Sequence, residues 1–177
     1  MRKEDAPRVV GCLYLAMFLG AILWMQLDGA LERLPALAVG THGVPISAAS
    51  GLCAGLLLAA LSSWLAQWSR AVCGVEKDLS SMIGTLSERG LLLTSVGGAL
   101  AEEFLFRGAA QEAFGAPLAV ACYVGMSMGA GPAVFVPMAL VTGALLSTMV
   151  HAGLGLLSVT SAHAIANYLS LHRIQNT

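Results

Sequence analysis

The chain has 177 residues, of which 57% are hydrophobic and 11% are charged, with a formal net charge of −1 and a mean hydropathy of +0.78. Soluble domains average roughly 25% charged residues, and a chain of this size cannot bury so much apolar surface in one core, so lipid must cover part of it. The near-neutral charge and the absence of a basic tract argue against a nucleic-acid partner. The composition predicts an all-α, polytopic membrane bundle that forms a single integral membrane domain over residues 1–177.

The first apolar run extends from Val9 to Leu27, behind a basic N-terminal segment. Its nineteen residues are long enough to span a bilayer. No A-x-A-like cleavage site follows it, so we interpret it as a retained first span rather than a signal peptide. Asp28 to Gly43 is predicted to be a short polar connection, in which His42 is a loop residue.

A second span is predicted from Val44 to Ala66. It contains Gly51 and Gly55 at GxxxG spacing, which lets two helices approach closely in lipid. A later pair, Gly125 and Gly129, is expected to permit close approach in the same way.

The segment from Arg70 to Arg89 has mixed polarity. Its apolar residues recur at helical spacing, which predicts a short amphipathic helix at the membrane interface. These residues are Val75, Leu79, Met82, Ile83 and Leu86.

Four more apolar runs bring the expected number of transmembrane helices to about six. They cover approximately Gly90–Ala110, Leu118–Met128, Ala133–Val150 and Leu154–Leu171. Turn signals at Gly115–Pro117, Gly129–Pro132 and His151–Gly153 separate them.

The distribution of basic residues predicts the orientation of these spans. With six spans, seven of the nine Lys and Arg residues fall on the side that carries both termini, and only Arg33 and Arg107 fall on the other. Both termini are therefore predicted to be cytoplasmic. The Arg107 end of the third helix then lies toward the outer face, and we expect the site described next to open there.

The third run contains the most unusual charges of the chain, the adjacent carboxylates Glu102 and Glu103 followed by Arg107. A single charge at the centre of a bilayer costs about 3 kcal/mol. In a helix, Glu103 and Arg107 share a face and can pair, while Glu102 is turned by about 100° and is the freer carboxylate. The three residues are either part of a functional site or structural. In the structural alternative, Glu103 and Arg107 form an ion pair at the helix end, and Glu102 reaches the membrane interface.

The sixth run contains His163 and Asn167, four residues apart on one helical face. Both side chains offer donors to a developing oxyanion, and neither is needed for apolar packing. A buried histidine can equally serve as a structural hydrogen-bonding group.

Together these residues resemble the motifs of the CPBP family, the CAAX-protease and bacteriocin-processing intramembrane proteases. The sequence Glu102-Glu103-Phe-Leu-Phe-Arg107-Gly108 is similar to the EExxxR motif, and His163-Ala-Ile-Ala-Asn167 is similar to HxxxN. The resemblance covers residues 88–172, the expected catalytic core. It implies a small multi-pass protein of the bacterial plasma membrane that cleaves membrane-anchored, prenylated or sorting-tail protein substrates.

By this resemblance Glu102 would be the general base that activates water. Glu103 and Arg107 would order it, and His163 and Asn167 would stabilise the oxyanion. Members usually carry a further FxxxH motif on the helix after EExxxR, and the Leu118–Met128 run has no histidine.

The only other candidate for that histidine is His151, which is either recruited to the site or a surface histidine. If it is not recruited, the water is held by Glu102 and Glu103 with His163, or the enzyme is inactive. Zinc needs three or more protein ligands, and neither HExxH nor a two-histidine helix pair is present. A glutamate mechanism without a metal or other cofactor is therefore favoured over a site made of Glu102, His163 and His151.

Two other functions compete with a protease. One is a catalytically silent immunity or scaffold protein that keeps the fold and binds a partner. The other is a small proton-coupled carrier, although the paired inverted halves typical of carriers are absent. The cysteines form no CxxC pair and are expected to be small packing residues rather than disulfide or zinc ligands; they are Cys12, Cys53, Cys73 and Cys122.

Overall fold

The described part of the chain, residues 6–83, 86–130 and 133–176 of a computed structural model, consists of helices and contains no strand. This confirms the predicted all-α class. The α-helices are α1 (Ala6–Leu27), α2 (Leu34–Val39), α3 (Gly43–Trp68), α4 (Arg70–Ile83), α5 (Glu88–Glu103), α6 (Gln111–Phe114), α7 (Ala116–Ala130), α8 (Val136–His151) and α9 (Gly155–Gln175). A π-helical segment, Phe104–Ala110, joins α5 to α6 in one continuous helix, and two short 3₁₀ helices cover Ala30–Arg33 and Ala133–Phe135.

Three of the described helical stretches are long and apolar enough to cross a membrane. They are Val9–Leu27, Gly43–Trp68 and Ala133–His151. A fourth apolar helix, Ala116–Met128, is shorter. The chain is accordingly a membrane protein, and many large apolar side chains of α1 and α3 lie exposed on the outside of the bundle.

The α3 and α9 helices pack side by side and run in the same direction. Backbone atoms meet because Gly51 and Gly55 have no side chain: a Cβ at Gly51 would lie 2.6 Å from the carbonyl oxygen of Ser158, and a Cβ at Gly55 would lie 2.8 Å from that of Ala162. The prediction of close approach at this GxxxG pair is confirmed. The same prediction is wrong at Gly125, because a Cβ there would meet nothing within 4 Å.

The α1 helix runs parallel to α5 and the π-helical segment. Near its start, the Tyr14 ring would lie 2.9 Å from a Cβ at Gly98; near its end, the Met25 sulfur would lie 3.1 Å from a Cβ at Gly108. On another side, α5 packs against α9 in the interior of the bundle, where Glu103 contacts His163.

Two ends of the bundle can be distinguished by their polar contacts. At the loop end, the N–H of Thr41 donates to the carbonyl of Gly153 over 2.8 Å. At the α4 end, Nη2 of Arg173 donates to Glu76 Oε1 over 2.6 Å and to Ser62 Oγ over 3.2 Å, which fastens α4 to α3 and α9. A helix is present in the segment predicted to be amphipathic, but it ends at Ile83 and does not include Leu86. The side chains of Leu79, Met82 and Ile83 lie outside the described part of the structure.

The connection between α1 and α3 is more ordered than the polar linker that its sequence predicted. It contains a 3₁₀ turn and α2, whose first turn accommodates Pro35 because the ring needs no N–H donor there. The apolar side chains of Leu34 and Leu37 pack against the core formed by α8 and α9. His42 is exposed, and its Nε2 lies 3.1 Å from the carbonyl of Ala152.

The cysteines are free thiols, and their expected role in packing is wrong for the three that are exposed, Cys12, Cys53 and Cys122. Each lies on an apolar helix face that is turned away from the bundle, so it packs no neighbouring helix.

Candidate functional site

The centre of the site is the carboxylate of Glu103, the last residue of α5. The Glu103 side chain is completely buried. Its Oε1 atom accepts two hydrogen bonds, one from Nη1 of Arg107 over 3.1 Å and one from Nδ1 of His163 over 2.6 Å. Its Oε2 atom has no hydrogen-bond partner among the described residues. One carboxylate therefore links the charged run of the third helix to the histidine of α9, sixty residues later.

Arg107 pairs with Glu103 as the four-residue spacing predicted, and its side chain is only 1% exposed. Its second terminal nitrogen, Nη2, donates to the carbonyl of Gly143 on α8 over 3.3 Å. The guanidinium also lies over the Tyr123 ring of α7, 4.7 Å from its centroid, in cation–π contact. Arg107 thus connects three helices. Because its side chain is buried among them, the alternative of a simple ion pair at a helix end is wrong.

Glu102 is the freer of the two carboxylates, as expected from its rotation around the helix. Its side chain is 15% exposed, and its Oε2 lies 3.8 Å from Nε2 of His163. That separation is too long for a direct hydrogen bond. A water about 2.8 Å from both atoms would bridge them with an angle of roughly 90° at its oxygen.

The two carboxylates face opposite nitrogens of the same imidazole. Glu103 fixes Nδ1 of His163, which directs Nε2 toward Glu102. With Nδ1–H donated to Glu103, the ring orientation is set by a buried hydrogen bond, as in sites where a carboxylate orients a functional histidine. The Tyr123 ring contacts the imidazole edge to face, with centroids 6.2 Å apart.

The π-helical segment begins directly after Glu103. At its end the N–H of Gln111 donates to the carbonyl of Phe106, five residues back. The wider turn brings five successive residues, Phe106 to Ala110, into buried positions, which an α-helix at a bundle surface does not allow. Single-turn π-helical insertions occur frequently at functional sites; here one buries Arg107 next to its carboxylate.

Asn167 lies one turn beyond His163, and both line a cavity of about 200 Å³ between α3, α7, α8 and α9. Ser62 and Ser170 also line it. Since Ser62 accepts a hydrogen bond from Arg173, which binds α4, the cavity extends from His163 toward the α4 end. We expected the site to open at the other end, beyond Arg107. Glu102 is not part of the cavity wall.

His151 does not join these residues. It is the last residue of α8 and is exposed at the loop end, and within the described residues it makes no hydrogen bond or ion pair with the cluster. The chain reverses through Gly153, whose φ of +80° suits a residue without a side chain. His163 then follows two helical turns into α9, about 12 Å along the axis from its start.

Several contributors to the site were not predicted from the sequence. Tyr123 is one of them, because nothing in the apolar pattern of α7 shows which residue faces Arg107. Gln111 had a signal, since it follows Glu103 and Arg107 at successive four-residue steps. Its side chain exchanges two hydrogen bonds with Ser147 of α8: Ser147 Oγ donates to Oε1 over 2.6 Å, and Nε2 donates to the Ser147 carbonyl over 3.2 Å.

No group of three His, Cys, Asp or Glu side chains that could hold a metal ion is found within residues 6–83, 86–130 and 133–176. The combination of Glu102, His163 and His151 is not assembled, because His151 lies at the exposed end of α8. Comparison of the chain with protein-family models, with curated proteins and with solved structures finds no match.

Proposed function

We propose that this protein is an intramembrane endopeptidase of the glutamic type, which hydrolyses a peptide bond of a membrane-anchored protein. The observation that carries the proposal is the position of the Glu102 carboxylate, 3.8 Å from Nε2 of an imidazole whose other nitrogen is fixed by Glu103. This arrangement suits a single water between a general base and a hydrogen-bond donor.

In the reaction, the water attacks the carbonyl carbon of the scissile bond while Glu102 takes one of its protons. The negative charge that forms on the carbonyl oxygen is stabilised by the side-chain amide of Asn167 and by Nε2–H of His163, which in its doubly protonated form donates from both ring nitrogens. The carbon–nitrogen bond then breaks, and the proton held by Glu102 passes to the leaving amine. Glu103 and Arg107 touch neither the water nor the substrate, so they are positioning residues that hold the imidazole.

The resemblance of the EExxxR and HxxxN segments to the CPBP family supports the same function, with residues 88–172 as the catalytic core. We further propose six membrane crossings, formed by α1, α3, the continuous helix 88–114, α7, α8 and α9. In this arrangement both termini and α4 lie on the cytoplasmic side of a bacterial plasma membrane, where seven of the nine Lys and Arg residues fall.

The test uses the full chain in liposomes with a mixture of synthetic single-span peptides, in water enriched in ¹⁸O. Hydrolysis leaves one ¹⁸O atom in each new carboxyl terminus, which mass spectrometry detects. Removing the general base by Glu102→Gln is expected to lower the rate by about 10²–10⁴-fold, and His163→Ala by a similar factor. Glu112→Gln is the matched control, because Glu112 is exposed and forms an ion pair with the exposed Arg33. Unchanged cleavage in both site variants contradicts the proposal.

A second candidate function is a catalytically silent immunity or scaffold protein, which the exposed position of His151 favours because no second histidine reaches the cluster. It predicts that Glu102→Gln leaves the cellular phenotype intact. A bulky residue at Gly51 would abolish that phenotype, since it separates α3 from α9.

A further inference from the structure

The cavity between α3, α7, α8 and α9 is lined by polar side chains that make no hydrogen bond within the described part of the chain. Tyr123 and Thr142 are 6% and 8% exposed, and both line it together with Asn167 and Ser170. Within the described residues, the side-chain polar atoms of these four make no hydrogen bond with the chain. Four unpaired polar groups thus share one cavity with apolar side chains such as Leu58, Phe135 and Met138.

Two hydroxyl groups outside the cavity, those of Ser63 and Thr148, bond within their own helices. Ser63 donates to the carbonyl of Ala59 and Thr148 to that of Ala144, each four residues back in its own helix. This local bond is the usual solution for a hydroxyl in a lipid environment, where an unpaired polar group is costly. Thr142 lies on the same helix as Thr148 and makes no such bond. The hydroxyls of Ser95 and Thr160 also have no partner among the described residues, but they are fully enclosed. Thr142 differs from them because it lines the cavity, where an occupant can pair with its hydroxyl.

The charges around the cavity restrict what that occupant can be. None of the described residues that line it is Asp, Glu, Lys or Arg. An ammonium group would find no carboxylate in the wall, and a carboxylate would lie near the two negative charges that already hold His163. The volume of about 200 Å³ corresponds to six or seven waters, which matches one amino-acid side chain with its backbone and is too small for a prenyl chain.

We propose that this cavity is the subsite that binds one uncharged polar residue of the substrate, of the size of glutamine, next to the cleaved bond. The inference rests on the proposed protease function for its role, but the binding can be measured without catalysis. An amide side chain both donates and accepts, so it can pair with hydroxyl groups and with Asn167 at the same time. Entry is from the α4 end, where Ser170 and Ser62 form the far wall.

The experiment measures the thermal stabilisation of the full chain in detergent micelles by N-acetyl amino acid N′-methylamides of Gln, Leu, Asp and Lys. A ligand that binds the folded state raises the unfolding midpoint in proportion to its affinity. We expect the Gln compound to bind about tenfold more tightly than the Leu compound, the gain expected for about one buried hydrogen bond, and the charged compounds to bind more weakly than either. Equal or better binding of the Leu compound overturns the proposal.

Matched variants on α8 separate the cavity from general effects on folding. Thr142→Val removes the hydroxyl without changing the shape and is expected to abolish the preference for Gln over Leu, whereas Thr142→Ser keeps it. Thr148→Val is the control, since its hydroxyl is exposed and bonded within the helix, and it should leave the preference unchanged. A preference that survives Thr142→Val refutes the subsite.

A peptide-cleavage arm distinguishes failure of this proposal from failure of the protease function. Preferential binding of the Gln compound without cleavage of any peptide supports the subsite and contradicts the protease. Cleavage that is indifferent to a Gln or Leu residue beside the scissile bond supports the protease and contradicts the subsite.

Discussion

Two ion pairs of this protein have the same separation and opposite environments, which allows the energetic role of burial to be measured directly. Arg107 and Glu103 are 3.1 Å apart with side chains 1% and 0% exposed, and Arg33 and Glu112 are 3.1 Å apart with side chains 60% and 24% exposed. The Coulomb energy at this distance is about 5 kcal/mol for an effective dielectric constant of 20 and about 1 kcal/mol in bulk water.

We predict that Glu103→Leu destabilises the protein by about 3–5 kcal/mol. The substitution removes the only carboxylate that pairs with the guanidinium of Arg107 within the described residues, and leaves that buried charge with the Gly143 carbonyl and the Tyr123 ring. It also removes the partner of His163 Nδ1. Glu112→Leu, the matched control at the exposed pair, should cost less than about 1 kcal/mol because water already screens that interaction.

The double variant Glu103→Leu/Arg107→Leu completes the cycle. It leaves no unpaired charge, so it should recover most of the loss and remain about 1–3 kcal/mol below the native protein, the cost of the unpaired His163 nitrogen. The free energy of unfolding is measured by SDS titration in mixed micelles, followed by tryptophan fluorescence. A Glu103→Leu variant no less stable than Glu112→Leu, or a double variant as unstable as the single one, refutes a buried and coupled pair.

Two further predictions concern packing and the attachment of α4. Gly51→Ala should lower the free energy of unfolding by about 1–3 kcal/mol, because the new Cβ would lie 2.6 Å from the Ser158 carbonyl oxygen. The control Gly97→Ala should not lower it, since a Cβ there meets nothing within 4 Å. Equal effects of the two substitutions in the same titration would contradict the close packing of α3 against α9. Burial raises the pKa of Glu76 above its ordinary value of 4.5, although Arg173 opposes the rise. The stability that this carboxyl contributes is therefore present below its unfolded pKa and is lost as pH rises through the raised folded-state pKa. Glu76→Gln should flatten that part of the curve of unfolding free energy against pH. A variant curve identical to that of the native protein would contradict the raised pKa of Glu76.

Much of the fold follows from the sequence because the membrane imposes simple rules. Runs of apolar residues at the length of a bilayer predicted the helices near their observed bounds, and Gly115 and Gly153 marked turns that require positive φ. The four-residue spacing of Glu103 and Arg107 was sufficient to predict their pairing, since helical geometry alone brings them together. Local rules thus predicted the elements and the contacts within one helix.

Predictions that depended on neighbours were less successful. The identical GxxxG spacing at Gly51 and at Gly125 led to the same expectation, but only Gly51 faces another helix. The connection from Asp28 to Gly43 reads as polar, yet Leu34 and Leu37 fold it against the core. The cysteines were expected to pack, and three of them are exposed. Spacing shows that a residue can pack closely, whereas the partner helix decides whether it does.

The sequence by itself determined a helical membrane protein with two carboxylates, a guanidinium and an imidazole at helical positions that permit pairing. Only the tertiary structure decided that Glu103 and Glu102 approach opposite nitrogens of His163, that Tyr123 covers Arg107, and that His151 stays outside. The physical reason is that these contacts join helices far apart in sequence. Their mutual rotation is set by packing at the glycines of α3 and by the π-helical turn after Glu103, and no periodicity within a single helix encodes it.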